Sequence, residues 1–279
     1  MAHLERIDRE STVIPDSFEM IGKADSVGLH HVQRLGPFDV INLDLCDSLA
    51  PLRQNVERPS YHEALVELLN FQIRERANPW ILFVSTRADP STVSEAIWQY
   101  YLPQLADNLR SSGALADQLE QNVGVDGVNA LKDLKLPTDI AQQEFARLFG
   151  LGFSKWLLSV MWAPSPNWHL ELLPSCWYRV SAEQPDMLSL CFRFKQITEA
   201  RIDPSGLVAA PPASPQISER DLAVQICGEM SRVRDLDALL RDDPEELETM
   251  IRKGAGLLKH ARYDEGAYDE WARISGPAQ

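Results

Sequence analysis

Three polar side chains, Asn42, Asp44 and Asp47, close the segment Phe38–Asp47, whose other positions are mostly apolar. A carboxamide and two carboxylates delivered together can accept hydrogen bonds from a substrate amine or from the edge of a base. With Asp39 they could instead offer hard oxygen ligands to magnesium for phosphoryl transfer. Side chains alternate along a strand, so Asp39 and Asp44 lie on opposite faces and only two of the carboxylates converge. A purely local role is the alternative: Asp44 and Asp47 cap the following turn while Asn42 satisfies backbone. Arg87 and Asp89 close a second apolar run and could complete the rim of the same site, or serve as a helix cap and a surface ion pair. Trp162 and Trp168 flank Ala163–Pro166 and are the aromatic residues best placed to stack on a ligand. Phe149, Phe153, Trp156 and Trp177 fit a core by their periodicity.

Other chemistries find less support. Cys46, Cys176, Cys191 and Cys227 lie far apart with no CxxC spacing, which predicts reduced thiols in a cytoplasmic protein. Negative charge at Asp44 and Asp47 disfavours a Cys46 thiolate, so no cysteine nucleophile is expected there. His30 and His31 are adjacent and lack partners at metal-ligand spacing. A net charge of -14 over 279 residues disfavours generic electrostatic binding to nucleic acid, although a local basic patch stays open. The charged start lacks the apolar stretch of a secretory signal, and the apolar run near 149–164 is interrupted by Lys155, so no membrane span is expected.

The elements that must position these residues can be read from patterning. Phe38–Leu45 has the near-continuous apolar run of a parallel strand buried on both faces. Ligands in open α/β sheets bind beyond the carboxyl ends of such strands. His30–Leu35 reads as a short strand, ended by Gly36-Pro37. Ser60 with Glu63 forms a capping box opening a helix with the stripe Tyr61, Leu65, Leu68, Leu69 and Ile73. Trp80–Ser85 reads as a second buried strand, followed by a helix capped at Asp89 or Ser91. Short helices and loops fill 111–137, and a stronger helix spans about 138–162.

The period then changes to two. His169–Val180 and Met187–Phe194 predict a β-hairpin turning at Ser181–Asp186. Pro174 cannot donate to a ladder, so the first of these strands belongs at a sheet edge. The prolines of 204–216 mark a linker. Beyond it, 14 acidic and 9 basic residues from Ile217 onward predict a solvated helical appendage suited to docking a partner. The expected fold is therefore α/β and Rossmann-like: a mostly parallel sheet ending in an antiparallel hairpin. Its divisions are an N-terminal segment (1–35), the α/β domain (36–203), the linker (204–216) and the helical appendage (217–279).

This order resembles the C-terminal half of class I S-adenosylmethionine-dependent methyltransferases. Asp39-Val-Ile-Asn-Leu-Asp44 resembles the family's fourth-strand motif, in the wording of some RNA-modifying members, and Trp80–Ser85 resembles its fifth strand. The resemblance covers roughly 36–200. It implies a last strand inserted antiparallel between its neighbours, S-adenosylmethionine as the cofactor, and contacts to the acceptor from Asn42 and Asp44. The family's cofactor half, with its glycine-rich loop, has no counterpart before Phe38: three strands need on the order of 80–100 residues, and Gly22, Gly28 and Gly36 are isolated. The expectation is a methyltransferase-like subunit that is non-catalytic or partner-dependent, within a nucleic-acid-modifying or bacterial defence complex. A protein partner or self-association is expected to cover the strand at 38–45, whose edge would otherwise be free. The alternatives are an active methyltransferase with divergent cofactor binding and a magnesium-dependent phosphoryl-transfer enzyme.

Overall fold

Ser60 and Glu63 do form the capping box: Glu63 N donates to Ser60 Oγ (3.2 Å) and Ser60 N to Glu63 Oε2 (2.6 Å). The helix they open is Tyr61–Glu75. The structure, a computed structural model, describes residues 12–52, 57–137, 139–164, 167–180, 184–197, 217–260 and 262–275. The linker at 204–216 and part of the hairpin turn lie outside the described residues. In chain order the elements are α1 (Val27–Leu35), β1 (Val40–Asp44), α2 (Tyr61–Glu75), β2 (Trp80–Arg87), α3 (Trp98–Ser111), α4 (Gly113–Lys132), α5 (Gln142–Trp162), β3 (Trp168–Tyr178), β4 (Met187–Gln196) and α6 (Glu219–Met230). After these come α7 (Leu236–Asp242), α8 (Pro244–His260) and α9 (Glu265–Ser275).

His30–Leu35 is helical rather than extended. Ser26 caps α1 by accepting from Leu29 N (3.0 Å), and Val32 turns inward against Ile21, Ala64, Leu68 and Phe71. A local cap and a helical contact stripe thus override the weak strand pattern.

Residues 18–233 form one compact unit. Its strands run in the order β1-β2-β4-β3. β1 and β2 are parallel, with Val40 opposite Ile81 and Asp44 opposite Ser85. β4 is antiparallel to β2 and to β3. The sheet is therefore mixed, not mostly parallel: the second hairpin strand enters between β2 and β3, so two of these three pairings are antiparallel. The expected Rossmann-like description survives only as a mixed α/β sheet.

One face of this sheet carries the core. Trp80, Leu82 and Val84 of β2, Phe192 and Phe194 of β4, and Trp168, Leu170 and Leu172 of β3 pack against helical residues such as Tyr101, Phe149 and Phe153. Trp80 and Phe194 stack at 3.9 Å between ring centroids. Helix α5 comes close to α3 because position 152 is glycine; a Cβ there would meet the Tyr101 ring at 2.4 Å. Hairpin parity changes inside β3. Between Leu173 and Cys176 two residues, Pro174 and Ser175, stand against one on β4, Leu190, which is a β-bulge at Pro174. Cys176 and Tyr178 consequently leave the Leu170 face, and Trp177 takes their place in the core. Ser175 Oγ accepts from Cys191 N (3.3 Å) within the bulge.

The opposite face is open along β1. Val40, Asn42 and Asp44 are exposed, Val40 at 55%, and beside them Phe83 is 37% exposed. The expectation that Phe38–Leu45 is covered on both faces is therefore corrected: α2 covers only the Ile41 and Leu43 side. β1 also has a free edge. Asp39 O accepts from Ile81 N and Leu45 N donates to Ser85 O, so the odd-numbered residues aim their backbone groups at β2. Those of Val40, Asn42 and Asp44 point outward and meet no partner among the described residues. Phe38, next in that outward row, is satisfied by buried Gln72 on α2. Phe38 N donates to Gln72 Oε1 and Gln72 Nε2 donates to Phe38 O, both at 2.8 Å. Gln72→Ala removes both bonds and should cost about 1–3 kcal/mol, read as a lower urea midpoint at unchanged m.

The second compact unit comprises the described residues of 234–275 with 12–17. Its helices α8 and α9 form a hairpin around Ile251, Ala255 and Ala272, and Arg273 bridges Glu248 and Asp269. Leu257, Trp271 and Ile274 stay exposed on it. The expected appendage at 217–279 is thus divided: Leu222, Ala223, Ile226, Cys227 and Met230 of α6 are buried in the core of the first unit. Lys155 of α5 pairs with Glu219 there. An acidic stretch is no guide to burial when its apolar stripe finds a core. Among the described residues, no helix is long and apolar enough to cross a membrane.

Candidate functional site at the strand tips

Asn42 and Asp44 reach the open face together because they are two residues apart on β1. Register extends that row across the sheet: Asp44 faces Ser85, Ser85 faces Ser189, and Ser189 faces Cys176. Ser85 Oγ lies 3.2 Å from Ser189 Oγ. Tyr178 joins the row from β3. Burial raises its phenol pKa, a hydrogen bond from Ser85 opposes this, and the nearby Asp44 charge raises it further. Asn42 and Asp44 themselves are exposed and make no hydrogen bond to a described residue.

Arg87 ends β2 on the same face, but it is tied into the framework. Its Nη1 meets Asp186 Oδ2 at 2.5 Å and its Nε donates to Cys46 O at 3.3 Å. Asp186 is buried; its Oδ1 accepts from Val180 N (2.7 Å) and its carbonyl from Ala88 N (3.0 Å). The pair therefore joins the loop after β1, the end of β2 and the hairpin turn. Asp89 is a structural cap: Oδ1 accepts from Ser91 N (2.9 Å) and Oδ2 from Thr92 Oγ1 (2.8 Å). Asp47 accepts from Ser48 N (2.7 Å) in the same local manner.

Of the predicted residues, then, Asn42, Asp44 and Arg87 share a face, whereas Asp47 and Asp89 serve their own turns. The two tryptophans leave the site altogether. Trp168 is fully buried, a correction to its expected exposure, because it begins β3 on the core face; Trp162 is partly buried and packs on the same core. Asp39 stands at the far end of β1, roughly 17 Å along the strand from Asp44, and pairs with Arg76. Among the described residues, no three His, Cys, Asp or Glu side chains are placed to share a metal ion.

The site offers hydrogen-bond acceptors and a fixed arginine but no activated nucleophile. It also lacks a cradle for the nucleotide end of S-adenosylmethionine. The loop after β1 contains no glycine, and three of its amides are taken: Ser48 N by Asp47, Leu49 N by Thr86 Oγ1 (2.7 Å) and Ala50 N by Ser48 Oγ (3.2 Å). Asp89 fills the loop after β2. Among the described residues of these two loops, Ser48 N, Leu49 N, Ala50 N and Asp89 are committed to local bonds and do not cradle the cofactor.

A second polar locus was not legible in the sequence. His62 on α2 is largely buried, shares a 2.9 Å hydrogen bond with the Tyr101 hydroxyl, and meets Trp156 edge-on at 4.8 Å. Burial lowers its pKa from 6.5 to about 4. The only hint was a histidine flanking the helical stripe, and the Tyr100-Tyr101 pair reads as ordinary core.

No curated protein and no solved structure matches the chain. A family model described as PP_RS20740-like matches residues 1–273, and the chain belongs to that family.

Proposed function

We propose that this chain is a partner-dependent, non-catalytic subunit built on a methyltransferase-like sheet that retains only one flank, and that it works in the cytoplasm. The observation that carries the reading is the flank at β1, where Val40, Asn42 and Asp44 present exposed side chains and backbone groups unpaired among the described residues, in one row. Open edges of this kind are templates for strand pairing and are ordinarily covered. A partner chain or a second copy would extend the sheet there and bring its own groups beside Asn42 and Asp44. The strand order β1-β2-β4-β3, with β4 inserted antiparallel, supports the methyltransferase-like part of the reading. The occupied loop amides support the non-catalytic part.

Calorimetry with S-adenosylmethionine on the purified chain separates this reading from an active methyltransferase. No saturable heat is expected. A one-to-one isotherm would overturn the proposal in favour of divergent cofactor binding. Magnesium should leave the thermal midpoint unchanged, and a saturable stabilisation would instead favour phosphoryl chemistry.

A further inference from the structure

His62, Tyr101 and Trp156 form the inner wall of a cleft of about 710 Å³ between α2, α3 and α5, away from the strand tips. Its size falls in the range of small-molecule sites. Val66, Glu67, Tyr100 and Gln104 line its mouth. Three features of the lining act together. Aromatic faces are abundant: Trp156 stacks on Phe153 at 5.8 Å, and Tyr100 is held 61% exposed at the rim. The charge is one-sided: Glu63 and Glu67 line the cleft and no lysine or arginine does. Glu63 is spent on the Ser60 capping box, but Glu67 is exposed and has no ion pair or hydrogen bond with a described residue. Third, the His62 ring uses Nε2 on Tyr101, and Nδ1 makes no hydrogen bond to a described residue, leaving a polar atom for an occupant.

We infer that this cleft binds an organic cation with a flat, apolar body, such as an aromatic ammonium. The cation would sit against Glu67 and the face of Tyr100 or Trp156, where carboxylate and ring quadrupole both attract positive charge. The flat body would enter toward His62, against the Tyr101 and Trp156 rings. A carboxylate-bearing ligand of the same shape would meet repulsion from Glu67 and find no compensating cation.

Tryptamine and indole-3-acetate share one ring system and differ in charge, so they test the inference on the purified full chain. In calorimetric titrations near neutral pH, tryptamine should bind at least about tenfold more tightly than indole-3-acetate. Glu67→Gln should remove most of that difference. Tyr100→Ala should weaken tryptamine binding; the side chain is largely exposed, so an unchanged circular dichroism spectrum will report an intact fold. Equal affinities, a preference for indole-3-acetate, saturable heat from neither compound, or tryptamine binding indifferent to both substitutions would each overturn the assignment.

Discussion

Asp186→Ala should cost about 3–5 kcal/mol of folding stability, the range for removing one partner of a buried ion pair. The value should fall toward the lower end because the Arg87 side chain is 22% exposed while that of Asp186 is 1% exposed. The substitution removes the carboxylate from the Arg87 guanidinium and leaves Val180 N–H without that acceptor. Asp186→Asn keeps the side-chain volume and an acceptor for Val180, so it should cost less. Asp44→Asn, on an exposed and locally unpartnered side chain, should change stability by no more than about 0.5 kcal/mol. Urea denaturation of the three variants checks this. If Asp186→Ala matched Asp44→Asn, the Arg87–Asp186 pair would not be what holds the strand tips together.

His62 should give the protein a marked acid limb. Its folded pKa is about 4, against 6.5 for an exposed imidazole. As pH falls, the unfolded chain takes up a proton near 6.5 that the folded chain refuses until about 4, so stability falls with falling pH in that window. The contribution is complete above pH 6.5 and is lost by about pH 4, and the shift corresponds to about 3 kcal/mol. Carboxylates titrate in part of the same range, which makes the difference between two proteins the informative quantity. Between pH 7 and 4 the urea midpoint of the wild type should fall further than that of His62→Phe, because the variant lacks this term. Parallel curves would show that His62 is not buried neutral.

The site was legible where chemistry is carried by local spacing and illegible where it depends on how strands are assembled. Asn42 and Asp44 were placed on one face by the two-residue repeat, and the Ser60–Glu63 cap by its three-residue interval. Pro174 marked the irregular position in β3. What it could not reveal was the parity change: one extra residue in a bulge moved Cys176 and Tyr178 to the open face and Trp177 into the core. The apolar composition of β1 by itself points to burial on both faces. Such a run cannot say which side a helix will cover, and α2 covers one. The position of Trp168 beside Ala163–Pro166 suggests exposure, whereas strand β3 begins at it and buries it at once. The mean charge over 217–279 points to a solvated tail, while the stripe Leu222, Ile226 and Met230 decides the burial of α6. His62 and Tyr101 are 39 residues apart and meet only through the packing of α2 on α3.

Among the described residues, β1 is the last strand on its flank and its outward backbone row is unpaired. Residue-resolved amide exchange on the purified chain, at a concentration where light scattering gives a monomer, tests it most directly. Ile41 and Leu43 donate toward β2 and should be protected, whereas Val40, Asn42 and Asp44 should exchange at least about 100-fold faster. Uniform protection of all five amides in the monomer would mean that the chain covers this edge itself, contradicting the account.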